Sequence, residues 1–468
     1  MLFKRFYDDG LAQASYMIGC EATSEAIVVD ANRDIAQYVE AAAREKMRIT
    51  HVTETHIHAD YVSGSRELAK VTGAELLLSA SGGPDWQYAF ATSDHATLLH
   101  DGDTIDIGNV RLDAMHTPGH TPEHLCFLVT DRATRDLPVG ILSGDFVFVG
   151  DVGRPDLLER AAHVSNTMEA SARDLFQSLQ RFRELPDYVQ VWPGHGAGSA
   201  CGKALGSMPQ STVGYEKITN WGVASTSEAD FVREVLAGQP EPPTYFAEMK
   251  RINREGPPIL GSMRAPKSLP GVDLSPLIAR GAPLVDIRAA TNFAAGHVPG
   301  TLNIPFGKSF STWAGWLLPY TREIFLIADD AASATQAARE MAMIGLDHVA
   351  GWLAAAEVAP WERERSEQIS AADLATRLAG AEVTLVDVRN RSEWDHGHID
   401  GAIHIPVGHL GARLAEVPRD LPIVVQCQGG LRSAIASSVL LALGVVDVLN
   451  LTGGYTEWVD AGLPVTTD

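Results

Sequence analysis

In the C-terminal half of the chain, short β-branched runs alternate with longer stretches of helix-forming residues. "IFLIA" (324–328) runs into "ATQAAREMAMIG", and "IVVQC" (423–427) runs into "RSAIASSVLLALG". Short apolar runs separated by helical stretches predict parallel-sheet α/β units. The pattern also repeats. "LVDIRAATNFAAGHVPGTLNIP" (284–305) aligns without a gap on "LVDVRNRSEWDHGHIDGAIHIP" (385–406) at an offset of 101, and "IFLIA" lies over "IVVQC" at an offset of 99, which Gly345 and Gly444 keep. A self-match of this length predicts a duplicated domain. In the N-terminal half, β-rich runs instead end in loops that carry histidine or aspartate beside glycine or proline.

Two stretches punctuate these segments as linkers. One is the proline- and glycine-rich run over residues 238–271, and the other is the charged "WERERSEQ" at 361–368. The domains expected are residues 1–250, 258–362 and 369–468. That count agrees with a length of 468 residues at about 150 per domain.

Composition narrows the class of protein. A hydrophobic content of 45% with 21% charged residues is that of a globular chain with real cores. The net charge of −22 repels nucleic acid and anionic membrane. The N-terminal "MLFKRFYDDGLAQASY" lacks a signal-peptide core, and no apolar run reaches the roughly 18 residues that span a bilayer. The cytoplasm is therefore the expected location, with neither a nucleic-acid nor a membrane partner. Cys20, Cys126, Cys201 and Cys427 are far apart, so they are expected as free thiols.

In the last segment, Cys427 ends a strand and precedes Gln428, Gly429, Gly430, Leu431, Arg432 and Ser433, after which a helix begins. Backbone N–H groups of such a loop and the helix N-terminus favour an anion, and Arg432 adds a full charge. These surroundings suit a thiol that carries sulfur. The Asp-Val-Arg, "GHIDGAIHIP" and "CQGGLRS" motifs resemble the rhodanese family of sulfurtransferases over residues 369–468. The resemblance implies that Cys427 is the sulfur carrier, with Arg432 beside it and Gln428, Gly429, Gly430, Leu431 and Ser433 as the binding loop. Asp387, Arg389 and His398 are expected to be structural. In the middle copy, Ala328 replaces the cysteine, Ser333 replaces the arginine, and "ADDAASA" brings two aspartates into the loop. That copy is expected to be inactive.

The first segment contains "THIHADY" (55–61), "MHTPGHTPEH" with His116, His120 and His124, "LSGDFVFVGDVGRPD" with Asp145, and "VWPGHGAG" with His195. Four ordered motifs at strand ends point to a metal site. The order H-x-H-x-D, G-H-T, S-G-D, G-H resembles the metallo-β-lactamase fold, an αββα sandwich, and in detail its glyoxalase II and persulfide dioxygenase branch. The resemblance implies a first metal set of His56, His120 and Asp145. A second set would need Asp60, a histidine at 61, Asp145 and His195.

Position 61 is a tyrosine, whose phenol holds its proton to about pH 10. A two-metal hydrolase is thereby disfavoured. The remaining two-histidine, one-carboxylate set suits a non-haem Fe(II) oxygenase. His58, Asp60, Tyr61, His195 and Arg154 are expected around the metal rather than on it, and Arg154 with Asp156 to fix the loop. Cys201 is read either as a second reactive thiol or as a packed small residue.

The whole order resembles bacterial persulfide dioxygenase–sulfurtransferase fusions of sulfide detoxification. It implies one Fe(II) per chain, with zinc as a stand-in in purified protein. The implied reactants are a small-thiol persulfide, O2, and sulfite or thiosulfate, and the implied assembly is a homodimer or homotetramer. Two rival functions are a glyoxalase II-like zinc thioester hydrolase fused to a rhodanese, and a persulfide-binding sensor or sulfur-relay protein with an idle metal site.

Overall fold

A computed structural model of the chain describes residues 1–157, 167–203, 205–239 and 241–467. Pro240 of the first linker and the terminal Asp468 lie outside the described residues. The chain divides into two compact units, one of Met1–Met263 with Ala342–Gly345 and one of Arg264–Met341 with Leu346–Asp468.

The first unit holds two six-stranded sheets. One runs Leu2–Asp8, Gln13–Cys20, Glu25–Val29, Arg48–Thr53, Glu75–Ser79 and Thr97–Leu99 in spatial order. The other runs Ser211–Thr212, Gln190–Pro193, Pro138–Gly144, Leu125–Asp131, Val110–His116 and Thr104–Ile107. The two-residue period of a strand assigns successive side chains to opposite faces. In Glu25–Val29, Ile27 and Val29 enter a core shared with Leu112, Phe127 and Trp192 of the other sheet, whereas Ala26 and Val28 face a core holding Tyr38 and Ala41 of the helix Ala36–Arg44. On the far side of the second sheet, Cys126 and Ile141 pack with Leu175, Leu179 and Phe182 of the helix Met168–Arg183. Helix, sheet, sheet, helix is the αββα sandwich expected.

The ligand-bearing loops share one edge of this sandwich. His56–Asp60 follows the strand Arg48–Thr53, His120 follows Val110–His116, Asp145 follows Pro138–Gly144, and His195 follows Gln190–Pro193.

The second unit contains two five-stranded parallel sheets with one topology. The order Ser268–Leu269, Val349–Ala354, Ile324–Ala328, Leu284–Asp286, Leu302–Asn303 recurs as Glu367–Ile369, Val448–Leu451, Ile423–Gln426, Thr384–Asp387, Ile403–His404. Each copy buries an Asp-x-Arg ion pair, Asp286–Arg288 at 2.6 Å and Asp387–Arg389 at 2.7 Å. The two copies also touch. The Asn303 N–H donates to Ser438 Oγ at 2.9 Å, and Trp316 lies so close to Gly408 that a Cβ there would meet its ring at 2.2 Å.

One stretch expected to be linker is not. Phe246–Glu255 is a helix within the 238–271 run, and it crosses the boundary expected at residue 250. Phe246, Met249 and Asn253 lie on its buried side, which the flanking prolines and glycines mask in sequence. Asn253 Nδ2 donates to the carbonyls of His58 and Tyr61, both at 2.7 Å, while its Oδ1 accepts the Ser63 N–H at 2.9 Å. One buried amide therefore clamps the loop that carries the first metal motif. Replacing Asn253 with Ala strands three buried backbone groups, and each such loss costs about 1–3 kcal/mol. Asn253→Ala is expected to lower the midpoint of urea unfolding of the first unit, and an unchanged midpoint would show the clamp to be dispensable.

Candidate metal centre and sulfur-transfer loop

His56, His120 and Asp145 each present one ligand atom, and these atoms lie within 4.8 Å of one another. Asp145 Oδ2 stands 3.8 Å from His56 Nε2 and 3.5 Å from His120 Nε2. Neither oxygen of Asp145 has a hydrogen-bond partner among the described residues, although the side chain is 1% exposed. An ionised carboxylate buried in that way is costly unless a cation completes its surroundings.

The histidines are fixed from behind. His120 Nδ1–H donates to the Arg154 carbonyl at 3.0 Å. Thr55 Oγ1 gives its proton to Asp30 Oδ2 and therefore accepts from His56 Nδ1–H at 2.9 Å. Both rings are left with the Nε2 lone pair facing Asp145, the tautomer a metal needs. Burial, followed by the neighbouring histidines, holds His56 well below its usual pKa, and burial also holds His120 below it. Both imidazoles are thus neutral at physiological pH, the form that a metal takes.

The remaining residues of these motifs take other roles. His58 turns its Nε2 to Asp30 Oδ1 at 3.2 Å. Burial alone would depress its pKa, but Asp30 carries it up to about 9. His58 stands outside the candidate trio. The Tyr61 phenol donates to the Asp30 carbonyl and accepts from Gln13 Nε2, both at 3.3 Å. Burial followed by the charge of Asp30 raises its pKa well above that of a free phenol, so it remains protonated and supplies no ligand. His124 accepts the Asp145 N–H at 3.1 Å on its Nε2 and so anchors the loop without joining the trio. His116 Nε2 meets the Pro122 carbonyl at 2.8 Å.

Arg154 and Asp156 form a fully buried two-bond ion pair, each bond 2.8 Å. The Arg154 main chain reaches further: its carbonyl orients His120 and its N–H donates to the Cys201 carbonyl at 3.2 Å. Gly153 must be glycine here, because a Cβ would stand 1.8 Å from the Asp145 carbonyl oxygen. Asp60, His195 and Cys201 gather as a second buried group beside the trio, within 4.8 Å. Burial and then the charges of Asp145 and Asp60 push the Cys201 thiol well up.

Asp30 is the residue that sequence reasoning missed. It binds the Thr55 N–H at 2.6 Å as well as Thr55 Oγ1 and His58, yet a lone aspartate after an apolar strand carries no motif. Its φ of +56° is a conformation that aspartate tolerates better than most residues.

In the last domain, Cys427 directly follows the strand Ile423–Gln426, and Gly430, whose φ is +97°, caps the start of the helix Leu431–Ala442. The Gly430 N–H donates to Cys427 Sγ at 3.1 Å and Ser433 Oγ donates to it at 3.4 Å. The Gln428 side chain bridges Arg389 at 3.4 Å and Thr456 at 3.0 Å. Arg432 does not stand as a free charge over the loop. Its guanidinium is held by both oxygens of Glu393, at 2.6 and 2.7 Å. Burial works against ionising Glu393, but Arg432 holds its carboxyl below the usual range. The groups directed at the Cys427 sulfur are therefore the Gly430 N–H and the Ser433 hydroxyl. In the middle copy, the aligned loop closes on itself through Ser333 N–H to Asp330 Oδ1 at 2.8 Å.

Because partners of this kind typically change metal affinity by about 10–100-fold, His124→Ala is expected to weaken metal binding by that factor without removing a ligand. Competition against a chelator measures it, and wild-type affinity would contradict the anchoring role.

A model described as the metallo-beta-lactamase superfamily matches residues 8–195, and one described as rhodanese-like domain matches 273–353 and again 370–461. A solved metallo-beta-lactamase from Staphylococcus aureus subsp. aureus COL is 40% identical, covers 76% of this chain and 99% of its own, and has a TM-score of 0.68. The probable polyketide biosynthesis zinc-dependent hydrolase PksB of Bacillus subtilis strain 168 is 26% identical over 208 residues, 44% of this chain and 83% of that protein. A sulfurtransferase of Allochromatium vinosum is 38% identical over 99 residues, 21% of this chain and 92% of that one. With its sandwich, its ligand-bearing edge and its two repeated sheets, the chain belongs to the metallo-beta-lactamase superfamily through its first domain and carries two rhodanese-like domains after it.

Proposed function

We propose that the chain is an iron-dependent persulfide dioxygenase joined to a sulfurtransferase, acting on a small-thiol persulfide in the cytoplasm. The observation that carries this reading is the buried trio of two neutral histidines and one orphaned carboxylate, with the Tyr61 phenol turned away from it. Two histidines and one carboxylate leave coordination positions open, as in non-haem Fe(II) oxygenases.

Iron(II) held by His56, His120 and Asp145 would supply the redox chemistry that activates dioxygen. The protein's part is to keep both imidazoles neutral and aimed, through Thr55 and the Arg154 carbonyl, and to exclude bulk water by burial. The net reaction converts persulfide, O2 and water into sulfite, free thiol and two protons. At the second site, the Cys427 thiolate takes the outer sulfur of another persulfide and releases that thiol. Sulfite then takes the sulfur from Cys427 as thiosulfate and regenerates the thiolate. The Gly430 N–H and Ser433 hydroxyl face the sulfur that bears the negative charge. The product of the first site is thus the acceptor at the second. The middle domain, with Ala328 and Ser333 at the aligned positions, is proposed to carry no sulfur.

The zinc hydrolase remains the rival reading, favoured by the gathering of Asp60 and His195 beside the trio and by the hydrolase relative. Oxygen consumption separates the two. Iron-loaded protein given a small-thiol persulfide is expected to consume O2 and form thiosulfate. His120→Ala should abolish the uptake, and Cys427→Ser should leave sulfite in place of thiosulfate. Thioester hydrolysis by zinc-loaded protein, with no oxygen consumed by the iron-loaded form, would overturn the proposal.

A further inference from the structure

A cavity of about 640 Å³ opens in the second unit, along the seam between its two repeated copies. The middle copy contributes Ile278 from the helix Leu274–Ala279 and Trp316 from the helix Phe310–Leu317. The last copy contributes Gly411 and, directly after the helix Leu431–Ala442, Leu443. The cavity beside the Cys427 loop, lined by Arg389, Glu393 and Gln428, is a separate one. Small-molecule sites occupy roughly 300–1,000 Å³ and are mostly apolar, with a few polar groups that fix orientation. The seam cavity has that size.

Its lining indicates the chemistry of a ligand. Apolar surface stays open at the rim, where Ile278 is 40% and Leu443 49% exposed, and covering such surface is favourable. Arg322 is the one charged residue among those that line the cavity, in a chain whose net charge is −22. Its guanidinium donates to the Gly281 carbonyl, which holds it at the wall without cancelling its charge. The neighbouring Glu323 turns instead to Arg280, at 3.3 Å, and no carboxylate pairs with Arg322 among the described residues. One guanidinium beside an apolar wall suits one carboxylate on an apolar body, whereas a dianionic phosphate would have only half its charge met. The floor is also left unfilled at Gly411, where an added Cβ would meet nothing nearer than Leu443 at 4.0 Å.

We propose that the seam between the two rhodanese-like copies binds an apolar monocarboxylate of the medium-chain fatty-acid class, its chain against Ile278, Trp316 and Leu443 and its carboxylate on Arg322. The middle copy thereby has a binding role that needs no cysteine. Binding is non-covalent, and it depends neither on the metal centre nor on sulfur transfer at Cys427.

Calorimetric titration of the full-length chain with decanoate, kept below its micelle concentration, tests this proposal. One decanoate per chain is expected to bind saturably, and decanol, the same chain without the charge, to bind more weakly. A net negative protein repels a free anion, so the gain from the carboxylate reports the local guanidinium. Arg322→Met is expected to weaken decanoate by about 10–100-fold, as for one charge-assisted contact, and to leave decanol unchanged. Gly411→Leu puts a side chain into the open space and should exclude both. Should that variant fail to fold, the exposed Arg322 position still decides. The proposal is overturned if decanoate does not saturate, if decanol binds as tightly, or if Arg322→Met binds decanoate as wild type does. It is equally overturned if folded Gly411→Leu binds normally, or if that substitution turns a ligand-free oligomer into a monomer in sedimentation, which would make the cavity a contact between copies of this chain.

Discussion

The Asp145 carboxylate is the constraint around which the first domain is arranged. It is buried, it has no hydrogen-bond donor among the described residues, and its two oxygens face opposite ways: Oδ2 toward His56 and His120, Oδ1 toward His195. Leaving a carboxylate in that state costs several kcal/mol unless a cation is bound. The surrounding structure keeps it there nonetheless. His124 ties down its N–H, Gly153 lets a neighbouring turn approach its carbonyl, and Thr55, Asp30 and Arg154 set the imidazoles around it. The sandwich thus stores an unmet demand for positive charge at one sheet edge, and metal binding meets it.

A different arrangement surrounds Cys427. There the Cys427 sulfur faces the Gly430 N–H and the Ser433 hydroxyl, and the Arg432 guanidinium is paired with Glu393. A loop that stabilises charge through N–H dipoles can release it readily, which suits a carrier that must both accept and give up sulfur. On the proposed reading, the two domains treat sulfur anions by separate means. One provides an open cationic centre when metal is bound, and the other a neutral cradle.

Much of this was legible in the chain because its signals are local. The duplicated sheets show as a self-match at a near-constant offset, and "CQGGLRS" carries the strand, loop and helix start within a few residues. His56, His120 and Asp145 were legible because each ends a strand run in a recognisable motif. What remained hidden depends on closure over long separations. Asn253 clamps His58 and Tyr61 from a helix inside an apparent linker, 190 or more positions along the chain. Glu393 reaches Arg432 across 39 positions, and nothing in "RNRSEWD" signals that pairing. Cys201 stood open between a reactive thiol and a packed residue. Only the fold brings it beside Asp60, which comes from another strand.

The central claim, that a persulfide sulfur is oxidised by dioxygen in the first domain, is tested most directly by the origin of the product oxygens. Iron-loaded protein would be given a small-thiol persulfide under isotopically labelled dioxygen, and sulfite would be trapped as it forms for mass spectrometry. The account predicts label in both oxygen atoms delivered by dioxygen, with the remaining sulfite oxygen coming from water. Sulfite carrying no label, or a persulfide that is consumed without oxygen, would contradict it.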